Sequence, residues 1–205
     1  LEVDDIKLVG RLYLPAGQPP YPAVCVCHGI PAKNRAPGDG GYPRLAKRIC
    51  REGFAVLIFN FRGTGTSEGN LDLPGWARDL KTAVDYLSAL PEVDRSRLSL
   101  LGFSAGAAVS ICVAAEDSRV SSVASCACPA EFDSLIRDED IESVISHFRD
   151  IGVIKDRGFP PSLDDWIDGF KLVAPIRYVA DISPRPLLLV HGSEDDVVPV
   201  SHAYR

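Results

Sequence analysis

The sequence predicts an α/β fold, with a mostly parallel open sheet, helices on both faces and a small cap-like insertion. Continuous apolar runs such as "YPAVCVCHG" and "FAVLIFNFRG" are typical of strands that are buried on both faces. These runs alternate with helix-like stretches along the chain, which is the order of elements in a parallel sheet. The chain has 205 residues, enough for one compact domain with a sizeable core. We therefore expect a single domain over residues 1–205.

The first half of the chain gives three strands and two helices. "IKLVGRLYLP" alternates apolar and polar residues and indicates a half-exposed strand. The buried strand "YPAVCVCHG" precedes a Gly/Pro-rich loop and a helix-like stretch, "PRLAKRICREG", closed by Gly53. After "FAVLIFNFRG" and a polar loop, "WARDLKTAVDYLSAL" carries Leu80, Val84 and Leu87 on one side, which predicts an amphipathic helix.

The second half continues the same alternation and then interrupts it. "RLSLLGF" predicts a strand, "AGAAVSICVAA" a helix and "VSSVASCACP" a further strand. Residues 130–180 are too apolar for a linker and too irregular for a strand–helix unit, so we expect an insertion packed over the sheet. "RPLLLVHG" then predicts another buried strand.

Composition narrows the class of ligand. The net charge is -6 and Lys and Arg are scattered, which argues against a nucleic-acid surface. No apolar run approaches the ~20 residues that span a bilayer, and the sequence does not open with a basic-then-apolar leader. We expect a small, uncharged or mildly polar ligand and no membrane span; nothing in the sequence indicates the oligomeric state.

The six cysteines indicate a reducing compartment. Cys25 and Cys27 lie two apart in an apparent strand, as do Cys126 and Cys128, so each pair shares a face of its strand. We interpret them as small buried hydrophobes in a cytoplasmic protein. The pairs lack the spacing and the accompanying histidine of a zinc site, so we expect no metal.

The two ends suggest that the sequence covers part of a longer molecule. It contains no methionine, so Leu1 is not a translation start, and it stops at Arg205 where a helix is expected to begin. We expect a last strand and a last helix after residue 205.

One serine stands between two glycines where a predicted strand turns into a predicted helix: "GFSAG", residues 102 to 106. A serine on such a sharp turn projects its hydroxyl above the sheet edge, and the flanking glycines avoid collisions with strand and helix. The N-terminus of the following helix would face a developing oxyanion, with the N–H of Ala105 as one donor. The alternatives are that small residues merely permit tight packing, or that Ser104 is a helix N-cap.

Two other loops are predicted at the same sheet edge. His28-Gly29 ends an earlier buried strand, where the N–H of Ile30 would supply a second oxyanion donor. "HGSEDDVVP" follows the last predicted strand and offers carboxylates.

The motifs together resemble the α/β-hydrolase superfamily, in particular its small serine esterases and peptidase-like serine hydrolases. "HGI", "FNFRGTGTSEG", "WARDLKTAVDYL", "GFSAG" and "PLLLVHGSEDDVVP" occur in the expected order over nearly the whole chain. By residue matching, the resemblance implies Ser104 as the nucleophile and Asp195, rather than Glu194 or Asp196, as the acid of a catalytic triad. It implies no metal or organic cofactor.

The resemblance also implies a general-base histidine about 25 to 35 residues beyond the acid. Only ten residues follow Asp195, so we expect this histidine beyond Arg205. We interpret His28 and His191 as structural, and His147 as a surface or lid residue. His202 begins a helix expected to lead away from Ser104, so the geometry disfavours it as the base.

The leading hypothesis is a serine hydrolase that cleaves a small-molecule carboxylic ester, or a related acyl substrate, through an acyl-enzyme on Ser104. A peptidase or a thioesterase with the same triad is an alternative. A non-catalytic ligand-binding scaffold of the same fold is a third.

Overall fold

A computed structural model describes residues 1–32, 41–132 and 141–205. It contains a two-stranded hairpin and a six-stranded sheet flanked by helices. Part of the loop expected before the first helix, and the first part of the expected insertion, lie outside the described residues. In the part of the chain that is described, no helix is both long enough and apolar enough to cross a bilayer.

The strands of the main sheet follow the order β3-β5-β4-β6-β7-β8. A small hairpin of β1 (Glu2–Val3) and β2 (Ile6–Lys7) precedes them. The sheet strands are β3 (Gly10–Tyr13), β4 (Tyr21–Cys27), β5 (Ala55–Phe59), β6 (Val93–Phe103), β7 (Val120–Cys126) and β8 (Leu187–Val190). β3 runs antiparallel to β5, and every other pair is parallel. The carboxyl ends of β4, β5, β6, β7 and β8 therefore share one edge, where the loops with candidate site residues lie.

The helices lie between the strands. They are α1 (Gly41–Arg51), α2 (Leu73–Ala89), α3 (Ala105–Glu116), α4 (Ile141–Asp150), α5 (Leu163–Leu172) and the short α6 (Pro175–Tyr178), with 3-10 turns at Val179–Ile182 and Val200–Tyr204. We call residues 141–182, between β7 and β8, the helical segment. The α/β class with a mostly parallel sheet is confirmed.

Strand alternation divides the core between the two faces of the sheet. Val24 and Val26 of β4 pack with Ala46 of α1 on one face. Cys25 and Cys27 point to the opposite face, into the larger core that α2 and α3 cover. All six cysteines are free, four of them buried and Cys50 and Cys126 half-buried.

Two elements begin earlier than the sequence patterns predict. β6 starts at Val93, which pairs with Tyr21 of β4. A register shift follows, and the next pair is Ala23 with Leu98. The residues before the apolar run are polar and exposed, so they carry no periodic signal. α2 starts at Leu73, where the Asp72 carboxylate accepts a hydrogen bond from the Gly75 N–H and caps the helix.

β8 corrects the prediction of a buried strand. It lies at the edge of the sheet, and among the described strands it pairs with β7 alone. Leu188, Leu189 and Val190 are 58%, 46% and 50% exposed. This exposure describes β8 within residues 1–205, and a strand expected after residue 205 would be available to pair with its free edge.

Candidate active site

Ser104 lies on a strained bend between β6 and α3. Its backbone has φ 51° and ψ -124°, a positive φ that L-residues rarely adopt. The Ser104 N–H donates to the Cys126 carbonyl oxygen over 2.9 Å, and its own carbonyl accepts from Ala107 N–H over 2.9 Å. The side chain does not cap α3, so the hydroxyl is not used as an N-cap. Backbone hydrogen bonds hold the bend, and Ser104 lines a cavity at this point of the sheet edge.

Three glycines allow the close packing around this bend. A Cβ on Gly102 would collide with Ala107, and one on Gly106 would collide with the backbone oxygen of His28. A Cβ on Gly29 would lie 2.9 Å from Ser104 Cβ and 3.5 Å from its Oγ. The loop after β4 therefore contacts the serine directly.

Ile30 and Ala105 both lie near the serine. Both line the same cavity as Ser104, Ile30 from the loop after β4 and Ala105 as the first residue of α3. The N–H groups of a helix's first turn have no acceptor within the helix, so the Ala105 N–H is available to a ligand atom. The structure thus places both candidate oxyanion residues in the wall of the cavity that Ser104 lines.

Asp195 lies in the loop after β8, and this loop reaches the same cavity. Its Oδ1 accepts hydrogen bonds from the N–H groups of Val198 at 2.9 Å and Val197 at 3.0 Å, and both of these valines line the cavity. The hydrogen bond from Val198 N–H lowers the pKa of the Asp195 carboxyl, and the hydrogen bond from Val197 N–H lowers it to a smaller extent. Its Oδ2 lies 3.7 Å from Nε2 of His191. The Asp195 carboxylate thus has one oxygen fixed by its own loop.

His28 and His191 hold the loops of the site. His28 Nδ1 lies 2.7 Å from the Gly29 carbonyl oxygen, and its Nε2 accepts a hydrogen bond from Phe61 N–H over 3.1 Å. His191 Nε2 lies 2.7 Å from the Val198 carbonyl oxygen, which can only accept, so this nitrogen carries the proton. Both imidazoles are engaged with backbone groups, which agrees with a structural role for each.

His202 and His147 differ in their relation to the serine. His202 Nδ1 accepts a hydrogen bond from Ala130 N–H over 3.0 Å, and the imidazole lines a small separate cavity of about 80 Å³. Burial, together with the nearby Arg205 charge, lowers the pKa of His202. His147, in contrast, lines the cavity of Ser104. The sequence predicted a surface or lid position for His147, and the structure places this exposed residue on α4. Its contact with the cavity follows from the packing of α4 and has no local sequence pattern.

The cavity of Ser104 has a volume of about 350 Å³ and is mainly apolar. The helical segment supplies much of its wall, including Val144, Phe148, Trp166 and Phe170. On its other side Ser104 borders a larger groove of about 610 Å³. That groove has more polar walls, which include His28, Tyr42, Asn60 and Thr64.

Hydrogen bonds attach the helical segment to the loop after β5. Asn70 Nδ2 donates to Asp156 Oδ2 over 2.7 Å, and Asn70 Oδ1 accepts from the N–H groups of Lys155 and Asp156. The Trp166 indole N–H donates to the Leu71 carbonyl oxygen over 2.8 Å. The helical segment is thus hydrogen-bonded to the loop after β5 at two places, through residues that precede α5 and through Trp166 on α5.

A buried ion pair fixes the start of that same loop. Arg62 donates from Nε and Nη2 to Asp79 Oδ1 over 3.0 and 2.6 Å, while its backbone N–H donates to Asp79 Oδ2. Asp79 is fully buried, and burial raises the pKa of its carboxyl despite the guanidinium beside it. Arg62 also contacts Asp4, which ties the N-terminal hairpin to the loop.

Two buried thiols near this sheet are protonated, and the described ranges contain no metal-binding cluster. Cys128 follows β7 at the same sheet edge, but burial raises the pKa of its thiol to about 12, so it stays protonated. Burial likewise raises the pKa of Cys112 to about 12. Within residues 1–32, 41–132 and 141–205, no group of three His, Cys, Asp or Glu side chains is arranged to hold a metal ion.

Comparison with known proteins relates the chain to a single family. A family model described as alpha/beta hydrolase fold matches residues 22–143. The quorum-quenching protein AidA of Acinetobacter baumannii is 32% identical over 130 residues, 62% of this chain and 41% of that protein. Thiohydrolase aneE of Aspergillus aculeatus is 33% identical over 150 residues, 71% of this chain and 45% of that protein. The chain therefore spans less than half the length of these two relatives.

Solved structures share the fold at lower identity. A complex of DcsB with its substrate analogue aligns with a TM-score of 0.75 at 22% identity, covering 99% of this chain and 82% of that one. Est1E of Butyrivibrio proteoclasticus with bound ferulic acid aligns with a TM-score of 0.72 at 22% identity, covering 99% and 82%. At these identities the likeness concerns the fold.

Proposed function

Because this chain belongs to the α/β-hydrolase family, we propose that it is a serine hydrolase that cleaves carboxylic esters through an acyl-enzyme on Ser104. One observation carries the proposal. Ser104 has a strained φ of 51° and lines a cavity together with Ile30, Ala105 and the loop of Asp195. Strain of this kind concentrates at functional sites, where the surrounding structure holds a reactive side chain in place.

In the proposed mechanism, Ser104 Oγ attacks the carbonyl carbon of the ester while an imidazole removes its proton. The carbonyl oxygen becomes an oxyanion that accepts hydrogen bonds from the N–H groups of Ile30 and Ala105, each worth about 3 kcal/mol in the transition state. The imidazole then gives its proton to the departing alkoxide. Water, deprotonated by the same imidazole, releases the acid and restores Ser104.

The proposal assigns the general base to a histidine outside residues 1–205. Three of the four histidines are engaged with backbone groups or lie in another cavity. The fourth, His147, precedes Asp195 in the chain, whereas the family resemblance implies a base that follows the acid. Asp195 would hold the added imidazole through Oδ2, since its Oδ1 already accepts two backbone hydrogen bonds. We also propose that the helical segment acts as a cap over the site, and that the chain continues into a further strand and helix.

Release of p-nitrophenol from p-nitrophenyl butyrate by the full-length protein tests this proposal. The wild type should show a burst of one equivalent per active site, and Ser104→Ala should lose both the burst and turnover. Ser146→Ala is the matched control, because Ser146 is exposed on α4 and should leave activity unchanged. Full turnover in the Ser104→Ala variant would reject the assignment.

Thioester hydrolysis is a second candidate, because one relative is named a thiohydrolase. The proposed residues would act identically on a thioester, and the leaving thiolate needs less assistance from an acid. Comparing kcat/KM on butyryl thiocholine, butyryl choline and an aminoacyl anilide measures which acyl bond is preferred. A thioester preference above about tenfold would replace ester hydrolysis by this second function.

A further inference from the structure

His147 lines the apolar cavity without a role in the proposed mechanism. Of the described residues in the cavity wall, it is the one with an ionisable side chain. Ser104 supplies the other available polar side chain, because the indole N–H of Trp166 is already donated to the Leu71 carbonyl oxygen. The remaining described walls are formed by Pro, Ala, Val, Ile and Phe side chains.

The position of His147 on α4 places its imidazole at the solvent edge of the cavity. His147 is exposed, whereas Val144 and Phe148 on the same helix are half-buried and buried and also line the cavity. The His147 and Phe148 rings are tilted at 48° with centroids 5.9 Å apart. One cavity therefore has a reactive hydroxyl at one point of its wall and an imidazole at another.

The size of the cavity determines what can contact both groups. A volume of about 350 Å³ accommodates about a dozen non-hydrogen atoms at the density of a liquid. A ligand that fills it from Ser104 therefore reaches the imidazole. Its aromatic and aliphatic walls favour an apolar body, here Phe132, Phe148, Trp166 and Phe170.

The exposed imidazole keeps water on its outer side, but a ligand that fills the cavity displaces the water on the side that lines the wall. A purely apolar ligand would replace that water without offering a hydrogen bond in return, at a cost in affinity. A ligand whose far end carries a hydroxyl would replace the lost water. Resting on the proposed function, we propose that His147 is a specificity-determining residue that selects esters with an apolar, aromatic-sized group ending in a hydroxyl.

Either the acyl half or the alcohol half of an ester can carry this group. One matched pair of substrates tests each half. For the acyl half the pair is methyl 3-(4-hydroxyphenyl)propanoate and methyl 3-(4-methylphenyl)propanoate. For the alcohol half it is 4-(hydroxymethyl)phenyl acetate and 4-ethylphenyl acetate. In each pair the two compounds have almost the same size, so a ratio of kcat/KM isolates the hydroxyl.

The wild-type, full-length protein should prefer the hydroxylated member of one pair about five- to tenfold, the worth of one net hydrogen bond. His147→Phe should abolish or invert this preference in kcat/KM, while turnover of the methylated or ethylated compound should remain measurable. His147→Gln keeps a hydrogen-bonding group and should retain part of the preference. Ser146→Phe is the control for added bulk on α4, since Ser146 is exposed and is not part of the described cavity wall.

Each alternative result rejects the proposal. The hypothesis is wrong if the wild type shows no preference in either pair, or if His147→Phe keeps the preference. Loss of turnover on all four esters in both folded His147 variants would make this residue part of the catalytic machinery instead. Failure of serine hydrolysis itself is separate, because it would appear as an unchanged burst in Ser104→Ala.

Discussion

Replacing Gly29 by alanine tests whether the loop after β4 fixes the position of the serine. The new Cβ would lie 2.9 Å from Ser104 Cβ and 3.1 Å from the Phe103 carbonyl oxygen. Carbon atoms in contact prefer about 3.5–4.0 Å, so the two must separate by roughly 0.6–1.1 Å. Gly29 has no positive φ that an alanine would strain, and the effect should therefore come from this contact.

A displacement of about 1 Å at a reacting group costs on the order of 100-fold in rate, or about 2.7 kcal/mol of transition-state stabilisation. We expect kcat/KM of Gly29→Ala on a p-nitrophenyl ester to fall by about that factor. Overpacking should also lower the free energy of unfolding by about 1–3 kcal/mol. The assay pairs steady-state kinetics with urea unfolding, so that loss of rate is separated from loss of folded protein.

Gly158→Ala is the matched control. Gly158 is exposed, has no positive φ, and a Cβ there would meet nothing within 4 Å. Its rate and stability should equal those of the wild type. If folded Gly29→Ala retains kcat/KM within twofold of the wild type, the claim that this loop positions the nucleophile is refuted.

Three further predictions concern the supports of the site. Asp79→Asn should lower the free energy of unfolding, measured in urea, by about 3 kcal/mol. The reason is that the buried Arg62 cation would then be paired only with the exposed Asp4. Asn70→Ala removes three hydrogen bonds to the helical segment, so amide hydrogen exchange should accelerate over residues 151–156. Because backbone hydrogen bonds lower the pKa of Asp195, its carboxylate should stay ionised in mildly acidic solution. The acid limb of kcat should then fall near pH 6.5, as expected of an imidazole, and Asp195→Asn should reduce kcat by about 10³–10⁴-fold.

Each of these predictions has an outcome that contradicts it. Glu116→Gln breaks an ion pair with Lys81 in which both side chains are about half exposed, and it should change stability by less than about 1 kcal/mol. If Asp79→Asn changes the free energy of unfolding by no more than Glu116→Gln does, the buried Arg62–Asp79 pair does not stabilise the fold. Unchanged exchange over 151–156 in Asn70→Ala would show that other contacts hold the segment. An acid limb with its midpoint at or below pH 4 in the wild type would point to a carboxylate as the titrating group.

The sequence predicted those features that depend on neighbours along the chain. The bend at Ser104 follows from small residues at fixed offsets, and the structure shows the collisions that Cβ atoms on Gly102 and Gly106 would cause. The shared face of Cys25 and Cys27 follows from strand alternation, and both are buried in the same core cluster. These signals are local, so reading them requires no knowledge of the fold.

Other features depend on contacts between distant parts of the chain. Asn70 and Asp156 are 86 positions apart, and neither sits in a pattern that indicates a partner. The place of His147 in the cavity wall arises in the same way, from the packing of α4 over the sheet edge.

Covalent labelling tests the central claim, that Ser104 is the nucleophile, most directly. The full-length protein would be treated with a p-nitrophenyl alkylphosphonate and analysed by intact mass and peptide mapping. We predict one phosphonyl group per chain, located on Ser104, and no labelling of the folded Ser104→Ala variant. An unlabelled wild type, or a label on any other residue, would contradict the claim.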